Sequence, residues 1–167
     1  MIHVTEVIAY LRSKLPSWRI DGAAEYVAAE DKSRLVLPAM YVMLGGFTAT
    51  TLAYETYLQE YDERFVILLG LDNTADRTGK YSQDYVLTAR RALFTALVNY
   101  RIDPDAHAVQ YVGDQMVSMD KARYWHKFEF KIIGRIDVSD VTQFELDYFD
   151  KLYADWNLTE SSETNHP

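Results

Sequence analysis

The sequence predicts a domain that combines helices with β-strands, and three segments carry this prediction. Residues 123–132 alternate apolar and polar side chains with a period of two, which is typical of a strand with one buried face. Residues 65–71 form a continuous apolar run, which is typical of a strand covered on both faces. Residues 82–100 repeat apolar side chains at helical spacing, which predicts a long amphipathic helix with Ser82 as its N-cap.

The N-terminal part predicts a further helix and short elements after it. Apolar side chains at the spacing of one helix face mark residues 4–15, and Pro16 ends this helix. Residues 18–20 fit a short strand, and residues 23–29 fit a short Ala-rich helix. Both lie before the first long strand.

A strand is expected over residues 39–44, directly after Pro38, because proline is tolerated at the first position of a strand. The pair Gly45-Gly46 is expected to break this strand. Residues 54–71 then fit a long strand or the arm of a hairpin, which ends in the apolar run.

Two more predictions concern the C-terminal half of the sheet. Residues 108–112 fit a strand, and a turn is expected at Gly113-Asp114. In the alternating strand, Trp125 falls on the polar side. A tryptophan on a wet face is out of place, so we expect a partner protein to cover it.

The last part of the chain predicts one more helix and a tail. Residues 138–156 place apolar side chains at helical spacing and acidic side chains on the other side, so they fit an amphipathic helix. Residues 157–167 are polar and fit a disordered tail. We therefore divide the chain into a domain over residues 1–137, this C-terminal helix and the tail. The apolar side chains of the helix are Val141, Phe144, Tyr148, Phe149, Leu152 and Trp156.

The composition is that of a globular protein and excludes several kinds of site. The chain has 167 residues, of which 49% are hydrophobic, enough for one domain with a sizeable core. It has no cysteine, which excludes disulfides and thiolate metal sites. No apolar run approaches the roughly 20 residues that cross a bilayer, and the N-terminus lacks the pattern of a signal peptide. We therefore expect a cytoplasmic protein that binds no membrane.

The charge and the aromatic content bear on possible partners. A formal net charge of −8 argues against specific nucleic-acid binding, which needs clustered Lys and Arg. The same acidity would let DNA pass without adhering. The 13 tyrosines fit a protein–protein interface, and they fit a Tyr-rich sheet face equally well. The composition leaves both explanations open.

A search for catalytic, cofactor and metal motifs finds none. The four histidines lack metal-ligand spacing, and His126, on the apolar side of a predicted strand, fits a packed residue better than a ligand. Residues 72–79 faintly resemble a calcium loop, but Arg77 stands where that loop needs glycine. No Gly-rich nucleotide loop and no nucleophile elbow is present. We expect no enzyme activity, no cofactor and no metal.

The helix over residues 82–100 has more apolar surface than one core requires. Leu87, Phe94 and Val98 add a second apolar side to its main stripe, and a polar loop over residues 72–81 precedes it. Long loops in small domains are usually functional. Without a catalytic pattern, this combination predicts assembly with other proteins. The alternative is a helix that is sandwiched within the monomer.

Four weak motifs, taken in register, resemble the tail terminator proteins of long-tailed bacteriophages. The resemblance covers roughly residues 1–137, and no single motif in it is diagnostic. The motifs lie at residues 18–25 (Trp-Arg-Ile-Asp-Gly-Ala-Ala-Glu), at residues 37–45, in the strand, polar loop and helix of residues 65–100, and at residues 111–114 with 123–130.

The resemblance implies an α+β fold, with a mostly antiparallel β-sheet and helices packed on one face, to which this chain adds a C-terminal helix. It implies a homo-hexameric ring at the head-proximal end of the tail tube, which stops tube polymerisation and provides the head–tail joining surface. The implied partners are the tail tube protein, the head–tail connector or stopper protein and, in a contractile tail, the sheath protein. Such a ring belongs to the virion tail, is assembled in the host cytoplasm and lets DNA pass.

Residues of the polar loop, the two-sided helix and the C-terminal helix are candidates for the interface, together with the tryptophan on the wet strand face. Another head–tail connector or tail-completion protein is an alternative function. A small ligand-binding module or enzyme, with a pocket under the strand of Trp125 and His126, is a second alternative. The candidate interface residues are Asp72, Asp76, Arg77, Lys80, Tyr81, Leu87, Phe94, Trp125, Phe149 and Trp156.

Overall fold

The computed structural model describes residues 2–24, 36–53, 58–74, 80–102, 106–119 and 122–136. Most of the predicted Ala-rich helix, the predicted C-terminal helix and the predicted tail lie outside these residues. Helices and strands of the described residues are, in chain order, α1 (Val4–Lys14), β1 (Ile20–Gly22), β2 (Ala39–Ala53), β3 (Leu58–Asp72), α2 (Lys80–Leu97), β4 (Gln110–Met119) and β5 (Arg123–Ile136).

The strands form one sheet in the order β1-β2-β3-β5-β4. β1 pairs parallel with β2, and β4 pairs antiparallel with β5. Gly70 and Tyr61 of β3 lie beside Trp125 and Gly134 of β5, respectively, so these two central strands also run antiparallel. The predicted α+β class with a mostly antiparallel sheet is confirmed.

Both helices pack on one face of the sheet and contact each other. The hydroxyl of Tyr10 on α1 donates a hydrogen bond to the carbonyl of Ala96 on α2 at 2.9 Å. The Tyr10 ring also stacks on Tyr100, with ring centroids 3.7 Å apart. The surfaces described below all lie in the compact unit formed by the chain up to Ala49 and by Tyr61–Gly134.

The alternating strand and the long helix build the core as their periodicities predict. β5 buries every second side chain, and Phe130 stacks on Phe65 of β3 at 5.5 Å between ring centroids. From α2, the main apolar stripe enters the same core. The main buried side chains of these two elements are Tyr124, His126, Phe128, Phe130 and Ile132 of β5, and Val86, Ala89, Leu93, Ala96 and Leu97 of α2.

The opposite sheet face carries a second, smaller apolar cluster, which includes Trp125. Trp125 does lie on this face, but it is half-buried against Tyr41, with 6.3 Å between the ring centroids. Leu68 is buried in the same cluster. Gly70 makes room for the indole, because a Cβ there would lie 2.5 Å from a ring carbon of Trp125. The chain itself therefore covers this tryptophan in large part.

The same face also carries a network of ion pairs within and between β3 and β5. Arg64 pairs with both Asp62 and Glu129, at 3.1 Å and 3.2 Å. Lys131 pairs with Asp62 at 2.9 Å, and Lys127 pairs with Glu129 at 3.1 Å. Partly exposed ion pairs of this kind, two of them across the strands, stabilise a sheet modestly.

Two predicted interruptions of the strands are wrong. β2 continues through Gly45 and Gly46 to Ala53. A Cβ on Gly45 would lie 3.1 Å from the carbonyl oxygen of Arg64, so this glycine permits close approach of β3 rather than a break. β4 likewise continues through Gly113 and Asp114, with bulges in place of the expected turn.

The start of α2 also differs from the prediction. The helix begins by Lys80, so Ser82 lies inside the first turn and is not the N-cap. The Ser82 side chain is buried and donates a hydrogen bond to the side-chain oxygen of Asn73 at 3.1 Å. A serine in this position ties the helix to the end of β3.

Candidate assembly surfaces

β4 forms one edge of the described sheet and exposes apolar side chains along its length. Met116 and Val117 are 55% and 54% exposed, and Val112 and Met119 are 42% and 48% exposed. An open strand edge is a template for pairing with another chain, and most proteins protect it with charge or cover. This edge is apolar, which favours a partner.

Two β-bulges give the edge strand this character. The register with β5 shifts between Tyr111 and Gly113 and again between Met116 and Ser118. Val112 and Val117 are therefore the extra residues of the two bulges. A bulge increases the local twist and re-aims its side chains. Both extra valines are exposed to solvent.

Helix α2 lies alongside this edge in the opposite direction. Phe94 packs edge-on against Tyr111, with 4.6 Å between ring centroids, and Arg90 pairs with Asp114. Residues nearer the N-terminus of α2 therefore lie beside residues nearer the C-terminus of β4. Leu87, which is 48% exposed, lies about one turn before Arg90 and so toward the later residues of β4.

We call these exposed apolar side chains of α2 and β4 together the edge surface. Within the described residues these side chains are 42–55% exposed, as a helix with a second contact surface predicts. Large exposed apolar patches on soluble proteins mark sites of protein contact. The members of the edge surface are Leu87, Val112, Met116, Val117 and Met119.

A polar cluster centred on Asp114 fixes the helix to the strand. Arg90 donates from Nε and Nη2 to the two carboxylate oxygens of Asp114, at 2.6 Å and 2.8 Å. The hydroxyl of Tyr111 donates to Oδ2 of the same carboxylate. His126 Nε2 lies 3.0 Å from Oδ1, and Tyr124 Oη lies 3.4 Å from Nδ1 of His126. Asp114 is thereby surrounded by partners on three elements.

These contacts decide the protonation of the cluster. Burial raises the pKa of Asp114, but the hydrogen bonds from Arg90, Tyr111 and His126 outweigh it and lower the pKa to about 2. Burial and the hydrogen bond to Asp114 raise the pKa of Tyr111 to about 12. A carboxylate with so low a pKa is a poor general base near neutral pH. The cluster is therefore suited to a structural role, in which it fixes α2 to β4 and β5.

A small pocket of about 140 Å³ lies at the start of α2, beside the end of β3. Tyr81 is 74% exposed at its rim, and Tyr85 packs edge-on against Trp18 at 5.3 Å between ring centroids. Asp72 accepts hydrogen bonds from the backbone and hydroxyl of Thr74, and these lower its pKa. The pocket is lined by Pro38, Leu71, Asp72, Tyr81, Ser82 and Tyr85.

The structure brings only some of the predicted interface residues together. Asp72 and Tyr81 line the same pocket, and exposed Lys80 adjoins it in the chain. Leu87 belongs to the edge surface, which lies further along α2. Phe94 is half-buried against Tyr111 within the monomer.

The other predicted interface residues are separate from these surfaces or lie outside the described residues. Trp125 lies on the face opposite the helices, within the smaller apolar cluster. Asp76, Arg77, Phe149 and Trp156 lie outside the described residues. An interface role for all ten residues stays a prediction.

The sequence analysis missed the four members of the edge surface that belong to β4. Two methionines and two valines within eight residues were a signal of an apolar edge, but the expected turn at Gly113-Asp114 obscured it. Among the described residues, no group of three or more His, Cys, Asp or Glu side chains is placed to hold a metal ion. No helix of the described part is long and apolar enough to span a membrane.

Comparison with known proteins identifies the family. A search of curated proteins finds no match. A family model described as phage tail terminator protein matches residues 1–137, the same range over which the sequence motifs show their resemblance. The match covers well over half of the 167 residues and includes both helices and all five strands described above. The chain therefore belongs to the phage tail terminator family, a family of structural proteins of the phage tail.

Proposed function

We propose that the chain forms a hexameric ring that caps the head-proximal end of the tail tube. The ring stops polymerisation of the tube and presents the surface on which head-completion proteins join the tail. Its partners are the tail tube protein, the head–tail connector or stopper protein and, in a contractile tail, the sheath protein. It is assembled in the host cytoplasm, remains in the virion and lets DNA pass without specific binding.

The edge surface is the observation that carries this proposal. It lies within the family-matched residues, and it combines an open strand edge with five exposed apolar side chains. In the proposed ring, the edge surface of one protomer packs against a different surface of the next protomer. Head-to-tail contacts of this type close into rings when the rotation between copies permits.

The proposed contact has the chemistry of a stable subunit interface. Such interfaces bury roughly 800 Å² per partner, with methionine and aromatic side chains enriched at the centre. Met116 and Met119 supply flexible apolar contacts, and the backbone of β4 supplies hydrogen bonds along its edge. The Arg90–Asp114 pair keeps α2 and β4 in one arrangement before assembly.

Deletion of the gene tests the function directly. Without its terminator, the tube should keep polymerising, so we expect overlong tails without heads in electron micrographs. Supplying the wild-type chain from a plasmid should restore normal tails. Normal virions from the deletion strain would refute the proposal. Pull-down with purified tube protein and with portal-side proteins separates a terminator, which binds the tube, from a connector that binds only the portal side.

A further inference from the structure

The acidity of the chain is concentrated at its C-terminal end. Residues 137–167 hold eight acidic residues and one lysine, which gives this segment −7 of the total formal charge of −8. The preceding 136 residues hold 17 acidic and 16 basic residues, so their net charge is only −1. The family match ends at residue 137, so all of this acidic segment except Asp137 lies beyond the matched residues.

The helical face of the family domain carries a groove of the opposite charge. The groove lies between the end of α1 and the second half of α2, and its volume is about 330 Å³. Exposed Lys14 and Arg91 flank a floor that includes half-buried Leu15 and buried Ala96. The full lining is Lys14, Leu15, Arg91, Ala92, Thr95 and Ala96.

These two cations differ from most basic side chains near them. Arg12 pairs with Asp21 at 2.9 Å, and Arg90 pairs with Asp114 at 2.6 Å. Within the described ranges, neither Lys14 nor Arg91 has an ion-pair partner; Lys14 lies over the ring of Tyr10, 5.6 Å from its centroid. Two cations beside an apolar floor, in a chain with excess acid, are complementary to an acidic segment with apolar side chains.

We propose that residues 138–156 of one copy dock in the groove between α1 and α2 of a neighbouring copy. The segment carries apolar side chains such as Phe149 and Trp156 at helical spacing, with acidic side chains between them. It therefore offers both an apolar surface for the floor of the groove and negative charge for the two cations. Apolar side chains contact the floor, and acidic side chains pair with Lys14 and Arg91. The inference rests on the proposed ring and names the contact that links adjacent copies.

The reach of the segment follows from its number of residues. As a helix, residues 141–156 are about 24 Å long, at 1.5 Å per residue. Residues 137–140, when extended, add roughly 14 Å between the helix and the end of β5. Together these lengths give the segment a reach of up to about 38 Å from the end of β5.

Charge reversal with mixing tests the proposal on the full chain. The groove variant carries Lys14→Glu and Arg91→Glu, and the segment variant carries Asp147→Lys and Asp150→Lys. Ring occupancy is counted by electron microscopy on tail tubes purified from the gene-deletion strain. The control Arg101→Glu with Arg135→Glu changes the net charge as the groove variant does, at exposed positions that are not among the lining residues of the groove. Thermal unfolding confirms that each variant is folded.

We expect each reversed variant alone to need about tenfold more protein for the same ring occupancy, and the control to match the wild type. An equal mixture of the groove and segment variants should recover wild-type occupancy, because each copy then meets a neighbour of opposite charge. Mixing restores only contacts between copies.

Three results would overturn the inference. Variants that cap tubes as the control does would show that the groove is not used. A chain with all four reversals that recovers, while the mixture does not, would place the segment on its own protomer. In both cases the wild-type ring persists and the proposed function stands. No ring in the wild type would refute the proposed function and the inference together.

Discussion

Arg90 on α2 binds the carboxylate of Asp114 on β4 through two nitrogen atoms, at 2.6 Å and 2.8 Å. The pair joins the helix that carries Leu87 to the strand that carries Met116. It is the main polar link between the two parts of the edge surface, and its geometry is the bidentate arrangement that arginine favours with carboxylates. The relative position of α2 and β4 in the edge surface thus depends on the Arg90–Asp114 ion pair.

Removal of the arginine should therefore destabilise the monomer. Arg90→Met leaves the largely buried Asp114 carboxylate without its cation, so we expect the free energy of unfolding to fall by about 2 kcal/mol. Urea denaturation measures the change. Arg91→Met is the matched control, since Arg91 is exposed and has no ion pair with a described residue; its effect should stay below about 0.5 kcal/mol. Equal losses in the two variants would contradict the role of the pair.

Acid should weaken the fold through Asp114. Its pKa of about 2 in the folded chain lies below the ordinary value of 3.8, so the folded state binds this proton more weakly than the unfolded state. The stabilisation is complete above about pH 4 and is lost as the pH falls toward 2. Between these limits we expect the wild type to lose roughly 2 kcal/mol more than Asp114→Asn. Urea midpoints at several pH values report this, and parallel curves for the two proteins would refute it.

A methyl group at Gly70 should displace Trp125. The new Cβ would lie 2.5 Å from the indole ring, so we expect Gly70→Ala to destabilise the chain by about 1–3 kcal/mol and to shift the tryptophan fluorescence toward that of a wetter ring. Gly46→Ala is the matched control on β2, because a Cβ at Gly46 has no neighbour within 4 Å. If both alanines are tolerated equally, the close packing of Trp125 on β3 is wrong.

Charge placed on the edge surface should block assembly and leave the monomer intact. Met116→Lys and Val117→Lys each put an ammonium group where the proposed interface is apolar, so ring occupancy on tail tubes should fall at least about tenfold. The unfolding midpoint should hardly change, because both side chains are more than half exposed. Gln115→Lys, at an exposed polar position between Asp114 and Met116, should cap tubes normally. Normal capping by the Met116 and Val117 variants would exclude the edge surface from the interface.

The fold was predictable where burial follows a local period. The alternation of residues 123–132 predicts β5 and its core face, and the helical stripe of residues 86–97 predicts the buried side of α2. Glycine was misleading, since the same residue type permits a turn or a close approach of two strands. At Gly45 the strand continues because the backbone of Arg64 approaches closely, and that contact joins residues far apart in sequence.

The candidate site was predictable only in part, for the same reason. Leu87 follows from the helix period alone. Val112 and Val117 do not, because a bulge exists only relative to the register of the neighbouring strand. Trp125 shows the reverse case: its position on the polar side of a strand suggests exposure, but Tyr41 and Leu68 from two other strands pack around it.

The sequence by itself determined the α+β class, the two amphipathic elements and the family, because periodicity and ordered motifs are properties of the chain. Only the tertiary structure decided which apolar side chains remain open. It buried most of Trp125 and exposed Met116 and Val117, since exposure depends on the strands and helices that a residue meets after folding. The surplus apolar surface that the helix predicts is thus located at the edge strand, where the sheet ends and no further strand of the described chain covers it.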